Sequence, residues 1–99
     1  MALFHIAFQE GFTDDTVVVR VNEGEVFRKD NVKTRTQIGY ADSFEVTIEE
    51  GSVKVEVLLP LKNLSEIFVL QVSTAVYMGI SIDDGRIVYR ISQEPFGYL

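Results

Sequence analysis

Val76-Tyr77-Met78-Gly79-Ile80-Ser81-Ile82-Asp83-Asp84-Gly85-Arg86-Ile87-Val88-Tyr89-Arg90-Ile91 is the stretch whose reading decides the fold. With Asp84-Gly85 as a two-residue loop, the segment folds back on itself. Asp83 then meets Arg86, Ile82 meets Ile87, Ile80 meets Tyr89 and Met78 meets Ile91. Asp-Gly suits a type I′ turn, which needs positive φ at both central residues and whose twist matches that of the flanking strands. Every inward apolar residue meets another, and a 3.6-residue helical period offers no comparable agreement.

The same alternation extends in both directions. Phe4, Ile6 and Phe8 share a face within Ala2–Gln9, and Val17, Val19 and Val21 do so within Thr16–Asn22. Val32–Ile38 alternates with Lys33, Arg35 and Gln37. Phe44, Val46 and Ile48 alternate with Glu45, Thr47 and Glu49, and Val53, Val55, Val57 and Leu59 with Lys54 and Glu56. Leu64–Val72 is apolar on both faces. One wet and one buried face marks an antiparallel sheet. A loop at Glu50-Gly51 would set Ile48 against Val53, Val46 against Val55 and Phe44 against Val57, and a loop at Glu23-Gly24 would set Val21 against Val26. Pro60 ends a strand because it cannot donate to a ladder.

About eight strands with frequent turns predict an all-β chain, an antiparallel β-sandwich that is Ig-like or similar. A small closed β-barrel is the alternative. The expected core is Phe4, Ile6, Val19, Val21, Phe44, Val46, Ile48, Val53, Val55, Ile80 and Ile91. With 99 residues the chain reads as one domain, 1–99, ending in an apolar tail over 94–99. The formal charge of −6 disfavours nucleic acid as a partner. There is no cysteine, so disulfides, thiolate metal sites and a cysteine nucleophile are excluded. Residues 1–5 lack the basic and apolar regions of a signal peptide, and no apolar run approaches a membrane span. The sequence reads as cytoplasmic, with no membrane partner.

Val17-Val18-Val19-Arg20-Val21-Asn22-Glu23-Gly24-Glu25-Val26, with Phe44–Gly51 as a second hairpin, resembles small bacterial PEGA-type β-sandwich repeats. The chain departs from that pattern in the Glu before Gly24 and in lacking a Gly-His ahead of the second hairpin. The resemblance implies a non-catalytic accessory module.

Chemistry-bearing residues are sparse. His5 is the single histidine and falls on an outward position, with no catalytic partner legible nearby. The pairs Asp14-Asp15, Glu49-Glu50 and Asp83-Asp84 fall in turns, where aspartate bonds its own backbone. Asp14, Asp15, Glu49 and Glu50 are the weak calcium candidates, since Ca²⁺ wants six or more oxygens gathered from several loops. If successive strands alternate direction, Glu10, Asp14, Asp15, Asp30, Glu49, Glu50 and Glu94 collect at one end. Arg28, Lys29, Lys33 and Arg35 form the one basic cluster, read as a solvated strand that discourages edge pairing. No enzyme, cofactor or metal is expected.

Surplus apolar surface is the feature that points to a function. Ile67 and Val69 face away from Phe68, Leu70 and Val72, with Leu58 and Tyr77 as possible neighbours. Phe96, Tyr98 and Leu99 either cover that face or reach a partner. The expectation is a non-catalytic protein–protein interaction or self-association module, a homodimer first. The alternative is a small-ligand or carbohydrate-binding module using Tyr40, Tyr77 and Tyr98, since the chain has no Trp for stacking on sugars.

Overall fold

The computed structural model describes residues 1–35, 37–94 and 96. Eight strands run in the order β1 (Ala2–Phe8), β2 (Asp15–Val21), β3 (Gly24–Val32), β4 (Asp42–Ile48), β5 (Gly51–Leu59), β6 (Leu64–Val72), β7 (Val76–Asp83) and β8 (Arg86–Ser92). One 3₁₀ turn, Pro60–Lys62, links β5 to β6. The strands form two four-stranded sheets, ordered β4-β1-β7-β8 and β3-β2-β5-β6. Each sheet keeps two free edges, so the chain is a sandwich and not a closed barrel. All neighbours are antiparallel except β1 and β7, which run parallel and pair Phe4 with Val76 through Phe8 with Ile80.

Period-2 alternation puts Phe4, Ile6 and Phe8 of β1, Val17 and Val19 of β2, the odd positions Val53–Leu59 of β5, and Met78 and Ile80 of β7 between the sheets, all at or near zero exposure. Aromatic rings close both sides. Phe27 stacks on Phe44 at 4.5 Å and reaches Phe8 at 5.2 Å where β3 faces β4. Phe68 meets Tyr89 at 4.1 Å where β6 faces β8. Phe12, 1% exposed, plugs one end. Its N–H donates to Thr34 Oγ1 at 3.0 Å, and that hydroxyl donates to the Gln9 carbonyl at 2.6 Å.

The β7–β8 hairpin has the register read from the sequence, from Asp83↔Arg86 to Met78↔Ile91, with Asp84 and Gly85 both at positive φ. Three other readings are corrected. β4 and β5 are not a hairpin: β4 pairs with β1, β5 pairs with β2 and β6, and Glu50-Gly51 crosses between the sheets. Matching of buried faces cannot tell an in-sheet neighbour from a strand in the opposite sheet, because both arrangements bury the same side chains.

The second correction is the β2–β3 turn, which is made by Asn22 and Glu23, both at positive φ, so that Val21 pairs with Gly24. The third strand is therefore Gly24–Val32 and not Val32–Ile38. Two register shifts, at Asp15/Val17 and Val19/Arg20, bring Phe27 opposite Val19 and hide the strand's alternation. The third correction concerns the core. Ile91 is 45% and Tyr89 44% exposed, because β8 is an edge strand and its inward side chains overhang the opposing sheet. Phe44 and Val46, on the β4 edge, are only partly buried.

Candidate interaction face

β6 is the outermost strand of its sheet, and it pairs with β5 in one unbroken register from Leu59↔Leu64 to Gly51↔Val72. Its even positions turn inward, with Phe68 and Val72 buried. The odd positions face out. Ile67 is 50% and Val69 65% exposed, and half-buried Leu58 of β5 lies on the same outer face. Around the edge, Tyr89 and Ile91 of β8 add further exposed carbon. Glu66 is the one charged residue in β6.

A strand edge carries unpaired N–H and C=O groups, and natural proteins blunt such edges with charges, proline or bulges. The opposite edge of the same sheet is treated that way: β3 carries two bulges, and Arg28, Lys29 and Asp30 stand along it. β6 has neither proline nor bulge, and a single charge, Glu66. Tyr89 and Ile91 belong to this exposed side, and the sequence reading missed them because alternation alone does not say which strand is an edge.

The other residues singled out in the sequence are dispersed. Tyr77 belongs to the other sheet, where its ring lies 5.5 Å from that of His5, so it does not extend the Ile67–Val69 patch. The Phe96 ring sits over the Arg90 guanidinium at 4.7 Å, which places it beside β8 and away from the outer face of β6. Tyr98 and Leu99 lie outside the described residues. Tyr40 donates to or accepts from Ser43 Oγ at 2.9 Å, and β1 separates it from Tyr77.

His5 Nδ1 lies 3.0 Å from Glu45 Oε2, a cross-strand pair that the β1–β4 register creates and that chain distance concealed. The four calcium candidates do not converge. Glu50 lies 3.6 Å from the N-terminal amine at the start of β1, while Asp14 and Asp15 follow the loop at its far end. Asp15 is buried and spends one oxygen on the Thr13 N–H and on Lys62 Nζ, each at 2.8 Å. The acidic pole is likewise split between the two ends. No group of three or more His, Asp or Glu side chains among the described residues is arranged to hold a metal ion.

On β3, Arg28 donates to Glu25 at 2.8 Å and holds that carboxyl below the usual carboxylate range. Such a carboxyl contributes stability above its unfolded pKa and loses it as pH falls through the folded value. Here the pair is fully exposed and water screens it. In Arg28→Ala the Glu25 carboxyl should titrate at its ordinary value by NMR, with the melting temperature essentially unmoved at neutral pH.

No helix among the described residues is long and apolar enough to cross a membrane. No protein-family model, curated protein or solved structure matches the chain.

Proposed function

We propose that the domain is a non-catalytic interaction module whose partner is a second copy of the same chain, joined antiparallel through β6 about a two-fold axis. The observation that carries this reading is the unbroken, nine-residue β6 edge with Ile67 and Val69 half or more exposed. An antiparallel strand pair is self-complementary, so one such edge closes on itself and leaves no further site for growth. A seam centred on Phe68 sets Ile67 opposite the partner copy's Val69, and Glu66 opposite Leu70. The one charge of the strand then never faces itself. About 800 Å² per subunit is the usual area for a specific contact, and the β8 side chains Tyr89 and Ile91 flank the seam to contribute to it. The resemblance of Val17–Val26 to PEGA-type modules points the same way, toward an accessory and not a catalytic role.

Light scattering should give twice the chain mass for the wild type. Ile67→Lys together with Val69→Lys places like charges opposite each other in the seam, and directly opposed like charges are unfavourable. The mass should fall by half with little loss of melting temperature, because both side chains already face solvent within one chain. A wild type that stays monomeric at high concentration, or a double variant that keeps the dimer mass, overturns the reading.

A further inference from the structure

The connection from β3 to β4 forms one wall of a cleft of about 440 Å³ at the end of the sandwich. Lys29 and Asn31 reach it from β3, Lys33, Arg35 and Gln37 from the connection, and Asp42 from the start of β4. Val32 ends the strand, and Asn31 just before it takes a left-handed φ of 59°. Arg35 is then held by a tight turn, in which its N–H donates to the Tyr40 carbonyl and its own carbonyl accepts from Ile38 and Gly39.

The charges in this cleft are unbalanced in a way the chain's composition opposes. The protein has 15 acidic and 9 basic side chains, so a basic residue has no shortage of partners. Arg20, Arg28, Lys54 and Lys62 each stand within ion-pair reach of a carboxylate, and Lys29 is paired with Asp42. Asp42 also accepts the Ser43 N–H at 2.8 Å, so the one carboxylate in the cleft is already neutralised and bonded. Among the described residues Lys33, Arg35, Arg86 and Arg90 have no carboxylate within ion-pair reach, and of these four Lys33 and Arg35 line this cleft together. Two unpaired cations beside amide donors leave a positive recess on an acidic molecule.

A second recess of about 340 Å³ shares Lys33 and Thr34 with the first and runs over Gly11, Phe12 and Gly39 toward Glu10. Its floor is largely carbon, and its far end carries a carboxylate. An anion is therefore favoured at the Lys33–Arg35 end and repelled at the Glu10 end.

From this geometry we infer a binding site for a small organic anion. A phosphate or carboxylate lies between Lys33 and Arg35, and an apolar body extends over Phe12 and Gly39. Arginine offers paired donors to such a group and lysine a point charge. The combined volume is in the range of small-molecule sites. This site is separate from the β6 edge, and its occupancy does not depend on dimerisation.

The test is an amide NMR titration of the full chain with phenyl phosphate, benzoate and inorganic phosphate, at constant ionic strength. Phenyl phosphate or benzoate should shift amides of residues 29–42 together and saturably, with a dissociation constant of about 1 mM or tighter. Whichever binds more tightly identifies the head group. Inorganic phosphate should shift the same amides more weakly, because it leaves the apolar recess empty. Lys33→Gln with Arg35→Gln should weaken binding about tenfold or more. Arg86→Gln, in the β7–β8 hairpin, should leave it unchanged. Lys33→Gln alone serves as a second variant with an intermediate loss. Shifts that fail to saturate, or that persist unaltered in the double variant, overturn the site.

Discussion

Gly11→Ala should lower the melting temperature by about 15–30 °C, the largest single-substitution effect expected in this domain. A Cβ at position 11 would stand 2.2 Å from the Ile82 carbonyl oxygen and 2.9 Å from the Ile82 Cβ. The clash is with backbone, which cannot rotate away. The two segments are also bound together beside it, since the Ile82 N–H donates to the Glu10 carbonyl at 2.8 Å. To admit a methyl group, the β1–β2 loop must lift from β7. That loop carries Phe12 into the end of the core, so the movement also unseats a buried ring. Position 11 has a φ of +91° besides, a conformation that side chains disfavour. Steric overlap, lost hydrogen bond and strain together amount to about 4 kcal/mol.

Gly85→Ala separates the two causes. Gly85 also has positive φ, at +72°, but nothing lies within 4 Å of its would-be Cβ. Only the left-handed penalty applies there, about 1 kcal/mol. Thermal melts of the two variants should therefore differ several-fold in their displacement from wild type. Equal displacements would show that the approach of Gly11 to Ile82 is not a stabilising contact.

Lys62→Met should destabilise by about 3 kcal/mol, from the loss of one ion pair. Asp15 has 2% of its side chain exposed, and Lys62 Nζ lies 2.8 Å from its Oδ2. The same ammonium group donates to Thr13 Oγ1 at 3.1 Å and sits 3.5 Å from the Gly11 carbonyl. It thus ties the β5–β6 turn to the β1–β2 loop. Met preserves most of the aliphatic stem and removes the charge, leaving a buried carboxylate that accepts from the Thr13 N–H. An uncompensated buried charge is the costly half of a broken pair. Asp15→Asn is milder, at about 1 kcal/mol, because the amide oxygen still accepts from Thr13 and Lys62, 31% exposed, keeps contact with water. The double variant should recover most of the Lys62→Met loss. Urea denaturation of the four proteins gives the coupling directly, and simple additivity would show that the two groups do not depend on each other.

The fold class and most strands were legible because a strand's period is 2 and one of its faces is buried. Phe4, Ile6 and Phe8, or Val53 through Leu59, declare their inward face without reference to any partner. The β7–β8 register was legible too, since a two-residue Asp84-Gly85 loop fixes it locally. β3 was not, because two bulges break its alternation and charged residues occupy most of its length. The candidate site was half legible. Ile67 and Val69 stand out as apolar residues on a face that should be polar. That β6 is an edge, and that Tyr89 and Ile91 overhang beside it, follows only from strand order.

The sequence alone determined which face of most strands turns inward and the register of the β7–β8 hairpin, since both are set within a few residues. Tertiary structure alone decided which strands are neighbours. Burial satisfies Ile48 and Val53 equally well across the sandwich or along one sheet, so β4 could leave β5 for β1 at no cost in buried apolar surface. That long-range choice makes β6 an edge, brings Glu45 to His5, and leaves Lys33 and Arg35 together in a cleft whose one carboxylate, Asp42, is taken by Lys29.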